Sequence, residues 1–255
     1  MAWMHVQVSS EEIRMPASIE VLLPQNAVEQ LMPGEKLPVL YLLHDWTGDH
    51  SEWMRKTALE TFQEEIPMAI VMPSGNASGF VNLKYGKSYQ NYIRDELPQI
   101  CENLFPISWK KEKKYLAGVG MGGYGTLNIA LGENCPFSIT GAFEADIDMK
   151  KHYHEKPEKL EKIFGSYEEY EKSSNCLFHA VDNLQEAENN NLPYIVMMCS
   201  QSSMVIEENR TLYSAIRKKY SRISMYEDEE ASGWRYYGEC LYRFMKNIQE
   251  QVWQL

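Results

Sequence analysis

The period of the hydrophobic pattern changes several times along the chain, and each change marks an element. Residues 3–8 (WMHVQV) alternate in the manner of a strand, and residues 17–23 (ASIEVLL) follow after a polar turn. That spacing predicts two antiparallel strands at the start. Residues 37–44 (LPVLYLLH) and 68–72 (MAIVM) are instead continuous apolar runs. A strand that is apolar on both sides must be covered on both, so these runs predict a sheet between two helix layers. Later strand candidates are residues 115–118, 139–144, 194–199 and 223–226. Helical spacing is clearest at residues 88–104, 124–131, 207–219 and 236–251. Strands alternating with helices predict an α/β fold with a mostly parallel central sheet, an antiparallel N-terminal strand pair and helices on both faces.

The rhythm breaks at residues 150–191, which are polar. This stretch reads as an excursion over the active-site edge of the sheet, with helices at residues 157–164 and 176–183. No repeat, low-complexity tract or Pro/Gly/Ser linker divides the chain, so residues 1–255 read as a single domain. A composition of 44% hydrophobic and 24% charged residues suits one large core,. The formal net charge of −11 argues against a nucleic-acid partner, and the one dense basic run, KKEKK at 110–114, reads as a solvated loop,. Five cysteines without C-x-x-C spacing give no zinc knuckle or redox pair, and the odd number suits a reducing compartment,. No charged-then-apolar leader and no run approaching roughly 18 apolar residues is seen. The expectation is a cytoplasmic protein without membrane partner, cofactor or metal.

Residues 117–125 read AGVGMGGYG, between a strand candidate and a helix candidate. Gly118, Gly120 and Gly123 satisfy G-x-G-x-x-G, the dinucleotide fingerprint, and Glu144 stands where a ribose-binding carboxylate is expected,. The same residues also fit G-x-S-x-G, the nucleophile elbow, with Gly120 in place of the serine,.

Several collinear segments resemble the α/β-hydrolase esterases grouped with tributyrin esterase and S-formylglutathione hydrolase. They are PVLYLLHDWTGDHSEW (38–53), VMPSGNASGFVNLKYGKSYQNYIRDELP (71–98), LAGVGMGGYGTLNIAL (116–131), IFG (163–165) and YEDEEASGWRYYGECLYRFM (226–245). The resemblance spans nearly the whole chain and implies the α/β-hydrolase fold. It disfavours the dinucleotide reading, because a Rossmann fingerprint belongs to the first βαβ unit and this loop follows two buried strands.

The resemblance also implies a serine, an aspartate and a histidine in that order. A hydroxyl becomes a useful nucleophile only when an oriented imidazole takes its proton. The matching positions here are Gly120, Ser203 in CSQSSM and Ser232 in ASGWRYY. No acid lies between Val196 and Ile206, and no histidine follows His179. His44 reads as a structural residue at the oxyanion loop and His50 as structural or solvent-facing. His152 and His154 lie in the excursion, with His154 the least implausible replacement base. Cys199 reads as an inert buried thiol. The implied protein is a pseudo-esterase with a binding or assembly role. The alternative is an active carboxylesterase working on short acyl esters through an unconventional nucleophile or a water activated by Glu144 or Asp146.

The retained elbow implies backbone oxyanion donors at Met121 and Trp46. Asp45 replaces a glycine common in the family, and Glu144 and Asp146 replace small residues. With Tyr85 and Trp234 they are the expected pocket residues. Carboxylates facing the pocket would repel an acidic ligand and favour a cationic or polyhydroxylated one. The expected partners are a small molecule in the vestigial pocket and, from the family's tendency to associate, a second copy of the chain.

Overall fold

Covering a sheet on both sides requires every strand residue of its centre to be apolar, and the centre of this sheet meets that demand. In the computed structural model, which describes residues 1–184, 192–229 and 232–251, Val39, Tyr41 and Leu43 pack on one side with Tyr92 and Leu97. Leu40 and Leu42 pack on the other side with Trp53, Leu241, Phe244 and Met245. The sheet has eight strands: β1 (Ala2–Ser10), β2 (Met15–Leu23), β3 (Val39–Leu43), β4 (Ala69–Pro73), β5 (Lys114–Val119), β6 (Ile139–Phe143), β7 (Tyr194–Ser200) and β8 (Ile223–Asp228). Their order is β1-β2-β4-β3-β5-β6-β7-β8. β1 pairs antiparallel with β2, and β2 antiparallel with β4. From β4 onward every pairing is parallel.

All eight expected strands are present, with ends shifted by a residue or two. The helix expected over 88–104 forms as Tyr89–Asn91 and Leu97–Leu104 joined by a wider π-turn at Tyr92–Glu96. Pro98 has no N–H for the normal ladder, and widening the preceding turn accommodates its ring. The helix expected from 124 begins at Met121 and runs to Ala130. Glycines at 122, 123 and 125 lower the intrinsic helix propensity of its first half, and complete burial of the helix overrides them. The excursion holds helices Met149–Glu155, Pro157–Phe164, Tyr167–Glu171 and Leu177–Asp182. Its last expected residues, 185–191, lie outside the described ones, as do 230–231 and 252–255. Among the described residues no helix is long and apolar enough to cross a membrane.

The fold brings the chemistry to one place. His44 and Asp45 follow β3, Gly120 follows β5, Glu144 follows β6 and Gln201 follows β7. In a parallel sheet these are the carboxyl ends of neighbouring strands, the edge where such folds bind their ligands.

Candidate active site

Gly120 has φ 55° and ψ −113° and caps the helix Met121–Ala130. A side chain is strained in that region, which is why the turn between β5 and this helix is an elbow. The turn is wedged tightly: a Cβ on Gly122 would stand 2.6 Å from the Leu43 carbonyl oxygen. The glycines therefore serve close approach of helix to sheet.

The helix N-terminus would attract an anion, and the chain supplies one itself. Asp45 Oδ1 accepts a hydrogen bond from the Met121 amide at 2.9 Å. The Trp46 amide also stabilises the same carboxylate. Burial pushes the Asp45 carboxyl above its usual range, and these two amides pull it back. Both backbone donors expected for an oxyanion are thus engaged by Asp45. A Cβ on Gly120 would lie 2.1 Å from Asp45 Oδ1, so the carboxylate occupies the space of a side chain at 120. This arrangement also leaves no room for a dinucleotide pyrophosphate at the amides.

His44 holds the loop that carries Asp45. Its Nε2 accepts from the Gly75 amide at 2.9 Å, which leaves Nδ1 to donate to the Asp45 carbonyl at 2.7 Å. Burial lowers its pKa, consistent with a neutral ring used at both nitrogens. Glu144, at φ 41°, reaches across the carboxyl edge. It accepts from the Ser200 amide at 3.3 Å and from the Tyr237 hydroxyl at 2.9 Å. One carboxylate thus joins the ends of β6 and β7 to the helix Gly233–Gln249. Asp146 Oδ2 accepts from Trp46 Nε1 at 2.7 Å and lies 2.6 Å from His152 Nε2. The hydrogen bond to Asp146 raises the His152 pKa. Glu208 accepts from the Asp148 amide. Burial, helped by repulsion from Asp146 and Asp148, pushes its carboxyl up to about 7.

These groups line a cleft of about 500 Å³ that includes Asp45, Gly120, Glu144, Asp146, Ser203 and Glu208. Asp148 and Glu207 add two more carboxylates, against Lys151 and His152 as its basic members. Ser203 lines the cleft, with its Oγ accepting from the Val205 amide at 3.4 Å inside its own turn. Ser232 is exposed at the start of the last helix and lies outside the lining. Two expected pocket residues also stand elsewhere. Tyr85 is 76% exposed, on a loop away from the cleft. Trp234 packs edge-on against Trp53 and Tyr237, at centroid distances of 5.1 and 5.5 Å, with Lys56 over its face.

The excursion's contribution differs from expectation as well. His154 is exposed, and His152 is the histidine that faces the cleft. Met149 and Tyr153, four apart, mark the buried face of that helix. Residue 152, three after Met149, flanks that face, whereas 154 lies on the opposite one. That spacing was the signal available in the sequence. Burial raises the Cys199 thiol to about 12, which leaves it protonated and a poor nucleophile at neutral pH,.

The family model described as "Putative esterase" matches residues 10–241. The chain belongs to this esterase family. An acetyl esterase of Caldicellulosiruptor saccharolyticus is 24% identical over 255 residues, covering 94% of this chain and 96% of that protein. Among solved structures, the fluorophosphonate-binding serine hydrolase FphF of Staphylococcus aureus matches with a TM-score of 0.86 at 23% identity, covering 97% of this chain and 98% of that one. S-formylglutathione hydrolase FrmB of the same organism gives 0.85 at 24% identity, with coverages of 97% and 98%. At such identity the structural likeness shows the fold, an α/β-hydrolase sheet. Within that esterase fold, the elbow residue of this chain is a glycine and the amide next to it is bound to Asp45.

Proposed function

We propose that this esterase-family chain does not hydrolyse esters by the serine mechanism and that its cleft binds a small cationic molecule. One observation carries the first half: the Asp45 carboxylate sits on the Met121 amide, the donor a developing oxyanion would need,. Gly120 offers no hydroxyl, and neither Ser203 nor Ser232 can act as a base at the matching positions. The losses are coupled, because a side chain at 120 and the Asp45 carboxylate compete for one space. The same plug weakens the alternative of a carboxylate-activated water. Glu144 or Asp146 could hold a proton, but the carbonyl to be attacked would find its polarising amides taken.

The charge of the cleft supports the second half. Six carboxylates line it with one lysine and one histidine, and burial, with added repulsion from Asp146 and Asp148, has already raised Glu208. A bound cation would relieve that repulsion, and an anion would add to it.

Purified protein is expected to give no turnover of short-chain p-nitrophenyl esters above a denatured control and no labelling by a fluorophosphonate probe. Turnover with labelling would reveal a serine nucleophile, and turnover without labelling would favour the activated water. A linear diamine is expected to raise the unfolding midpoint in a salt-sensitive manner, with the rise reduced in Asp146→Asn. A dicarboxylate is expected to leave the midpoint unchanged. Sizing in solution tests the expected homo-oligomer.

A further inference from the structure

We propose that His5, Glu20 and His50 form a zinc site that fastens the N-terminal strand pair to the loop bearing Asp45. The site lies apart from the acidic cleft and does not depend on how that cleft is used.

The three residues meet because of sheet register. His5 on the outermost strand β1 stands directly opposite Glu20 on β2. His50 arrives from the turn after β3, and its ring lies 5.1 Å from that of His5, centroid to centroid. Glu20 Oε1 is 2.9 Å from His5 Nδ1 and 3.8 Å from His50 Nε2. One donor atom from each residue lies within 4.8 Å of both others. Tetrahedral zinc with bonds of roughly 2.0–2.1 Å separates its ligand atoms by about 3.3 Å. The two separations from Glu20 Oε1 straddle that value, and the third lies within 4.8 Å, so rotation of the side chains without backbone movement would close the set. Two imidazoles and a carboxylate, with a fourth position for water, suit zinc among common divalent ions.

The charge balance favours a cation here. Glu20 is only 5% exposed, and among the described residues its ion-pair partners are these two imidazoles. A buried carboxylate without a permanent positive partner is costly, and a divalent ion removes that cost. The outer groups are in place: Trp3 Nε1 donates to Glu20 Oε2 at 2.7 Å, leaving Oε1 turned toward the two imidazoles. His50 Nδ1 is buried with no hydrogen-bond partner, so no competing bond fixes the ring away from the metal-bound orientation. The half-exposed His5 leaves a path for the ion. Binding would also reach the loop near the elbow. His50 is two residues before Glu52, whose carboxylate accepts from the Asp45 amide at 3.2 Å.

The test is titration of chelator-treated full-length protein with Zn²⁺ by calorimetry, with Co²⁺ as a spectroscopic substitute. One equivalent is expected to bind, to raise the unfolding midpoint with metal concentration, and to give Co²⁺ the visible bands of a four-coordinate site. His5→Ala, at an exposed strand position that should tolerate it, is expected to abolish these signals, as is His50→Ala. Trp3→Phe, which removes the outer donor, should weaken binding about tenfold. His152→Ala should bind as the parent does. The proposal is overturned if the parent binds no stoichiometric Zn²⁺, if binding survives in both His5→Ala and His50→Ala, or if His152→Ala removes it.

Discussion

The elbow and the turns that face it have met different fates. Around Gly120 the backbone keeps its geometry: positive φ at the turn, a buried helix start, and glycines pressed against β3. At Ser203 and Ser232 the side chains do little. The Ser203 hydroxyl accepts one long hydrogen bond within its turn, and Ser232 makes no side-chain cap bond. The elbow is held by packing, which the fold needs whether or not a reaction takes place. On the proposed reading, the two serine positions are where the fold asks least of the side chain, so small polar residues suffice there. Scaffold and chemistry are therefore separable at the level of single residues.

That contrast is broken or sharpened most strongly by Gly122→Ala against Ser203→Ala and Ser232→Ala. The added methyl at 122 meets the Leu43 backbone carbonyl at 2.6 Å, with no flexible side chain to yield. Urea unfolding is expected to show a loss of about 3 kcal/mol or more at 122. The two serine variants should each change stability by less than about 0.5 kcal/mol. Equal tolerance at all three would mean that packing does not preserve the elbow.

A smaller effect tests the coupling of Gly120 to Asp45. Gly120→Ser introduces a side chain at φ 55° and 2.1 Å from Asp45 Oδ1, at a cost of roughly 1–3 kcal/mol. Asp45→Gly should return part of it, so the double-mutant cycle should show a coupling of about 1 kcal/mol or more. Neither variant should hydrolyse esters, because no imidazole faces residue 120 at the matching position. Additive stability changes would show that the two residues do not compete.

The sequence told unequally of these features, for physical reasons. Continuous apolar runs declare buried central strands directly, and alternation with a polar turn marks the N-terminal pair, so all eight strands were readable. Helices of five to seven residues, such as Met149–Glu155 and Tyr167–Glu171, are too short for a periodic signal and form through tertiary packing,. The glycine at the elbow was visible, and so was the acid at 45. What the sequence could not show was that Asp45 folds back onto the Met121 amide, 76 residues away, because nothing local encodes that contact. The His5–Glu20–His50 cluster was hidden similarly, since it depends on strand register and on a turn from a different part of the chain.

The acidic cleft allows a finer comparison, between a carboxylate disturbed by its surroundings and one that is partnered. Glu208 has its pKa raised to about 7, so its ionised form is disfavoured in the folded protein. The penalty is absent below the unfolded value of about 4.3, grows as pH rises, and is complete above about 7. Glu208→Gln should therefore stabilise at pH 8 by about 1 kcal/mol after allowance for solvent screening, and by almost nothing at pH 4. A gain of the same size at both pH values would point to packing instead of charge.

His152, paired with Asp146, should show the opposite sign and the smallest effect. Its folded pKa is raised by the hydrogen bond to Asp146. The stabilisation from the pair is then fully present below the unfolded value of about 6.5 and is lost as pH rises through the folded value. His152→Gln should cost about 0.5 kcal/mol at pH 5.5, the scale of a partly exposed ion pair, and less at pH 9. Relative to the parent, both variants should thus gain as pH rises, but from opposite sides: Glu208→Gln from no effect to a net gain, and His152→Gln from a net loss back toward the parent,. If His152→Gln instead lost more at pH 9 than at pH 5.5, the imidazole would be acting in the cleft as a neutral packing element, and the Asp146–His152 contact could not be counted as a charge pair.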